Sequence, residues 1–200
     1  ILKQFNALLF RQHSVSNSLR NFLKDKCLDE VIPKVLKDVL ELFHGGRVYI
    51  FEYDDECHTQ SCTYEVVAKG VSPEIELLQD TDTREIEWWH SQILADKPIL
   101  LNSLSELPEN ATQERYILSI QDIKSLMVIP LRNTERIWGY IGIDLVEQEH
   151  RWSNEDYQWF SSLANIISIC INLRRARDEA ERERSFLRNL YKYMPMGYVR

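Results

Sequence analysis

Alternation is the clearest pattern in this chain. From Ile137 to Leu145 (IWGYIGIDL), Ile137, Gly139, Ile141, Ile143 and Leu145 share one face, and Trp138, Tyr140, Gly142 and Asp144 share the other. This predicts a strand with an apolar face for a core and an aromatic face carrying one carboxylate. The segment before it, 125–131 (SLMVIPL), is apolar throughout, which predicts a strand covered on both sides. A turn at 132–136 joins the two. Arg47–Tyr53 (RVYIFEY) is a further strand by its aromatic and β-branched content, with Val48 and Ile50 on one face and Tyr49, Phe51 and Tyr53 on the other. A polar turn at 54–56 leads to another strand within 61–68, and a short one spans Ile99–Leu101 after Pro98.

Between and around these strands the period changes to that of a helix. Ile32, Val35, Leu36, Val39 and Phe43 form the buried stripe of a helix over about 28–43. Pro33 is tolerated in its first turns, and Gly45-Gly46 is expected to stop it. Two more helices are expected at 84–95 and 111–121. The last has a marked start: Ser153 and Asp156 form a capping box, with Trp152 and Tyr157 in staple positions around it. No Pro or Gly follows until Pro195, so this helix is expected to run for about forty residues, ~60 Å. Its first half is core-like (Trp159, Leu163, Ile166, Ile167), whereas RRARDEAERERS beyond Leu173 is too charged to bury.

Two segments carry heptad-like spacing. At the start, Ile1, Phe5, Leu8, Gln12, Val15, Leu19 and Phe22 recur at intervals of three and four, which suits either a dimer seam or a helix lying on its own domain. In the charged tail, Leu173, Ala176, Ala180, Glu183, Leu187, Leu190 and Met194 keep a 4-3 spacing. A second seam through Arg177, Arg184 and Tyr191 shares Leu173, Ala180, Leu187 and Met194. Two overlapping weak registers suit a coiled coil that shifts between them, and homodimerisation through both terminal helices is expected.

Composition narrows the class. Of 200 residues, 44% are hydrophobic and 28% charged, which is ordinary globular material. A net charge of -7 argues against a nucleic-acid partner. No apolar run approaches membrane-spanning length, so no membrane contact is expected. Cys27, Cys57, Cys62 and Cys170 form no disulfide framework, which fits a reducing cytoplasmic setting. Starting at Ile1 without Met and stopping at Arg200 within a pattern, the chain reads as part of a larger protein.

RVYIFEY after an amphipathic helix, the pair SLMVIPL and IWGYIGIDL, and HRWSNEDYQWFSSLANIISICI together resemble a GAF domain, a small-molecule sensing fold of signalling proteins. The intervening stretch is similar to GAF domains of bacterial sensor histidine kinases and related multidomain signalling proteins. YKYMPMGYVR resembles the opening of a PAS domain. The resemblance implies an α+β sandwich: an antiparallel sheet of five to six strands, terminal helices on one face, and a pocket under covering helices on the other. The expected organisation is a heptad-like signalling helix over 1–17, the GAF domain over 18–173, a coiled-coil connector over 174–192 and a truncated PAS domain from 193. The function implied is a regulatory, sensory module of a two-component-type signalling protein. A ligand-free dimerisation spacer is the alternative, and a GAF-type methionine sulfoxide reductase a more distant one.

The candidate pocket residues are Tyr49, Phe51, Tyr53, Trp138 and Tyr140 from the sheet and Trp88, Trp89 and Tyr116 from the covering helices, with Asp144 as polar handle. The same rings would equally serve as plain core. Nothing else points to chemistry. Cys57, His58 and Cys62 beside Asp54, Asp55 and Glu56 lack a paired C-x-x-C and a fourth ligand, so no metal is expected. The neighbourhood of Cys57-His58 differs from that of a bilin-attaching cysteine, and the Asn-Lys…Phe…Asp-Glu signature of cyclic-nucleotide-binding GAF domains is missing. The five histidines lie in separate elements, and no phosphoacceptor, P-loop or dinucleotide motif occurs, so neither cofactor nor catalytic residues are expected in this piece.

Overall fold

The computed structural model describes residues 28–193, with side chains to 190. In chain order the elements are α1 (Leu28–Phe43), β1 (Arg47–Tyr53), β2 (Thr59–Val67), β3 (Thr81–Asp82), α2 (Glu87–Leu94), β4 (Ile99–Leu101), α3 (Thr112–Ile120), β5 (Ser125–Arg132), β6 (Ile137–Leu145) and α4 (Asn154–Tyr193), with 3-10 turns at Thr83–Ile86 and Leu104–Glu106. The stripe from Ile1 to Phe22 and residues 194–200, which include Met194 and most of the PAS-like stretch, lie outside the described residues.

The strands make one antiparallel sheet in the order β3-β2-β1-β6-β5-β4. This is the expected α+β architecture, and the neighbouring positions of β5 and β6 explain their apolar content. Met127, Ile129 and Leu131 pack with α1 and α4 on one side. Leu126 and Val128 join the second layer, under α2 and α3. Covering both faces removes apolar surface from water on each, at ~25 cal/mol per Å².

Local chemistry sets the ends of the helices. His44, not a glycine, takes the left-handed position after α1 (φ 51°), and Gly45 N–H donates back to Leu40 O at 2.9 Å. The expected glycine stop is therefore shifted by one residue. Gly45 and Gly46 serve close packing instead: a Cβ at Gly46 would lie 2.8 Å from Val146 Cγ1. At the start of α4, Ser153 N–H and hydroxyl both donate to Asp156 Oδ2 (2.9 and 2.7 Å), and Asp156 N–H donates to Ser153 Oγ (3.1 Å). The loop before it is tied to the sheet by Trp152 Nε1, which donates to Leu101 O at 3.1 Å.

Two bulges reset the alternation of the central strands. On β6, Leu131 pairs with Gly139 but Arg132 pairs with Ile137, so Trp138 is an inserted residue. The insertion corrects the expected faces. Ile137 turns toward the α2–α3 layer, while Trp138 turns to the α1–α4 layer, where it is 1% exposed. There its Nε1 donates to Ser168 Oγ (3.1 Å) and its ring lies 4.5 Å beneath the Arg175 guanidinium. On β2, Ile50 pairs with Tyr64 but Phe51 with Cys62, leaving Thr63 inserted. Cys62 and Glu65, an odd number of residues apart, consequently face the same side.

Helix α4 is forty residues long. Phe160, Leu163, Ala164, Ile167 and Ile171 face the sheet. Its outward side is apolar at Ile169 (59% exposed), Leu173 (66%), Leu187 (45%) and Leu190 (45%). Where it leaves the sheet, Arg174 pairs with Asp29 of α1 (3.2 Å), and Arg175 pairs with Glu52 of β1.

Candidate functional site

The α2–α3 side of the sheet encloses a cavity of about 160 Å³. Strand alternation places Tyr49 and Phe51 of β1 and Tyr140 and Asp144 of β6 along its floor, and the β2 bulge adds Gln60, Cys62 and Glu65. The segment after β2 contributes Glu74 and Leu78, the 3-10 turn Ile86, α2 Trp89, and α3 Glu114 and Leu118. Rings dominate the walls: Phe51 stacks on Tyr140 (centroids 5.0 Å apart, planes at 11°), Tyr49 meets Phe51 edge-on at 5.6 Å, and Trp89 meets Tyr140 edge-on at 6.0 Å.

Five of the expected residues therefore line the cavity: Tyr49, Phe51, Trp89, Tyr140 and Asp144. Tyr53 and Trp88 sit in the same layer without lining it, Tyr53 edge-on to His90 at 5.1 Å. Trp138 is on the opposite face because of its bulge. Tyr116 is 61% exposed, because α3 buries Glu114 and Leu118 and a residue two positions from Glu114 is rotated ~200° away. Of the dimer candidates, Leu173, Ala180 and Leu187 are exposed on α4.

The polar end is built around Asp144, 3% exposed. Tyr49 hydroxyl donates to its Oδ1 at 2.8 Å, and the Tyr49 ring lies over Gly142, where a Cβ would meet the ring at 2.4 Å. Burial pushes the Asp144 carboxyl up to about 7, against the opposing pull of the Tyr49 bond and of Arg47. Burial, followed by the charge of Asp144, holds the Tyr49 phenol well above its ordinary value. Arg47 Nε donates to Ser72 O (3.2 Å) and Nη1 to Gln121 O (3.5 Å), with Glu65 at 4.0 Å and Glu74 at 3.8 Å. Glu65 also accepts from the N–H groups of Glu74 and Ile75 (2.9 and 3.0 Å), fastening this segment over the cavity.

On the other wall Glu114, 4% exposed, accepts from Trp89 N–H at 3.1 Å and so caps α2 from α3. Tyr140 hydroxyl donates to Gln60 Oε1 at 3.0 Å. The Cys62 thiol is pushed by burial up to about 12, which keeps it protonated and a poor nucleophile. Cys57, on the β1–β2 turn at φ 58°, is half-buried and also shifted up by burial. Among the described residues, no three His, Cys, Asp or Glu side chains come together in a metal-holding group. No helix among them is long and apolar enough to cross a membrane.

A model of the GAF domain family matches residues 28–171. Among curated proteins, the methanogenesis regulatory histidine kinase FilI of Methanothrix harundinacea is 28% identical over 165 residues, covering 80% of this chain and 18% of that protein. The circadian input-output histidine kinase CikA of Synechococcus elongatus is 21% identical over 165 residues, covering 72% of this chain and 21% of that protein. The chain thus spans about a fifth of these relatives. Among solved structures, the phycoerythrobilin-bound GAF domain of a cyanobacterial phytochrome has a TM-score of 0.71 at 13% identity, covering 85% of this chain and 98% of that one. The third GAF domain of Slr1393 from Synechocystis sp. PCC6803, in its photoproduct state, has a TM-score of 0.67 at 15% identity, covering 76% and 98%. These structural likenesses bear on the fold alone.

Proposed function

The chain belongs to the GAF domain family, and from that premise we propose that it is the sensory module of a two-component-type signalling protein, holding a small molecule in the Tyr49–Asp144 cavity and relaying its presence through a dimer of α4. The observation that carries this reading is one chain of contacts. Strand β1 supplies Tyr49 and Phe51 to the cavity and, through Glu52, an ion pair to Arg175, at the point where α4 leaves the sheet. A ligand that moves the covering segments shifts β1, and β1 biases the helix. The similarity to two histidine kinases supports a kinase as the downstream output, with a PAS domain in between as the stretch from 193 suggests.

The bilin of the structural neighbour does not suit this cavity. About 160 Å³ is below the ~300–1,000 Å³ of pockets for drug-sized ligands, and the thiol lining it, Cys62, is held protonated. That protonation also weighs against thiol-based sulfoxide reduction. The stacking of Phe51 on Tyr140, which fills much of the layer, favours the ligand-free spacer as second reading. Disulfide cross-linking of Leu173→Cys and Leu187→Cys in the full-length protein tests the relay: dimers linked at both positions are expected, and their absence removes it. Native mass spectrometry of the domain separates sensor from spacer by a bound small molecule.

A further inference from the structure

Six carboxylates line the cavity (Glu65, Glu74, Asp82, Glu85, Glu114 and Asp144) against one cation, Arg47. The Arg47 guanidinium is already committed to Glu65, Glu74 and two carbonyls, and Asp82 is paired with Arg84 outside the cavity. Glu85 is exposed, which leaves Asp144 and Glu114 as the buried pair. Both are at least nine-tenths buried; Asp144 feels only the Arg47 charge that Glu65 and Glu74 already share, Glu114 has no ion pair, and each is engaged at one oxygen, Oδ1 by Tyr49 and Oε1 by Trp89 N–H. The indole of Trp89, 6% exposed in the same wall, lies edge-on to Tyr140.

A carboxyl at this depth either keeps its proton, as Asp144 does below about pH 7, or is ionised at a gain when a cation lies beside it. The ring faces of Tyr49, Phe51, Trp89 and Tyr140 add attraction for a cation beside the carboxylates. An anion would meet the remaining carboxylates with no free guanidinium to bind. Size sets the other bound, since a cavity of about 150 Å³ accommodates a ligand as large as benzene.

Resting on the sensory reading above, we infer that the cavity selects a small organic cation: an ammonium on a single ring or short branched chain, held by the Asp144 and Glu114 carboxylates against the aromatic walls. The groups that face Asp144 are Arg47 and Tyr49 of β1, Glu65 of β2 and Glu74 of the covering segment, so its own ionisation completes the site and binding tightens as pH rises.

Benzylammonium, benzyl alcohol and benzoate share one ring and differ in charge, and titration calorimetry of the folded domain with each is the test. Benzylammonium at about pH 8 is expected to bind at least tenfold more tightly than benzyl alcohol and about a hundredfold more tightly than benzoate. Asp144→Asn and Glu114→Gln should each weaken benzylammonium about tenfold and leave benzyl alcohol within about twofold, which also reports that the cavity is intact. Lowering the pH from about 8 to about 5.5 should weaken benzylammonium in the parent but not in Asp144→Asn. Equal or tighter binding of benzyl alcohol or benzoate overturns the cation and leaves the cavity as a ligand site. If none of the three binds at millimolar concentration, the cation falls, while native mass spectrometry of the domain decides the sensory reading separately.

Discussion

Gly142 lies directly beneath the ring of Tyr49, close enough that a single added carbon would meet the ring at 2.4 Å. The missing side chain lets Tyr49 lie flat on β6 and aim its hydroxyl at Asp144, two residues further along the same strand. Gly142→Ala should therefore displace the ring and break the 2.8 Å bond, at a cost of ~1–3 kcal/mol from overpacking and an orphaned carboxylate. Tyr49→Phe should reproduce the loss of the bond without the clash. Urea unfolding of both variants separates the two contributions.

Asp144 makes stability depend on pH in an unusual direction for an acid. Its folded-state carboxyl is raised to about 7, so between the unfolded value near 4 and 7 the native state holds the extra proton. The native state is then favoured at acid pH, and the advantage is lost as pH rises through 7. Unfolding free energy should fall by roughly 2–4 kcal/mol from pH 4.5 to pH 8 on this account, and Asp144→Asn should remove the slope. His90, depressed by burial, acts oppositely below pH 6.5 and remains in both proteins, so the difference between their profiles isolates Asp144.

Trp138 links the β6 bulge to α4. Ser168 Oγ accepts from its Nε1 at 3.1 Å and donates to Arg132 O at 2.7 Å. Ser168→Ala removes both bonds and leaves a buried indole N–H without a partner, which should cost ~1–3 kcal/mol. Replacing Trp138 with Phe alongside it should recover part of that loss. A double-mutant cycle by thermal denaturation measures the coupling.

Leu173 and Leu187 are exposed, so charges there have little to disturb within the subunit. On the proposed α4 dimer, Leu173→Asp with Leu187→Asp should leave the melting of the sheet domain unchanged and yield monomer in sedimentation equilibrium where the parent gives dimer. A dimer that survives both substitutions places its seam elsewhere.

Legibility along the chain followed the regularity of the backbone. Strands β1 and β6 and helix α1 could be bounded to the residue, because alternation and the helical stripe each ran unbroken between turn signals. Trp138 was misplaced because a bulge leaves no mark in composition and reverses parity for every residue on one side of it. Tyr116 was misplaced because aromatic character outweighed phase: Ala111, Glu114 and Leu118 recur on one side of α3, and Tyr116 falls opposite. The same phase would have found Glu114. The contributions of Arg47, Glu65 and Glu74 depend on a bulge and on an irregular segment fastened by carboxylate-to-backbone bonds, and neither has a periodicity to read.

The forty-residue helix also acts as a lever. Some eighteen residues, ~27 Å, extend beyond Arg175, so a tilt of ~5° there moves the far end by roughly 2 Å. Arg174 and Arg175 stand at the fulcrum, clamped to Asp29 and Glu52. On the proposed relay, a displacement at the cavity too small to alter its outline would be magnified at the far end of the helix.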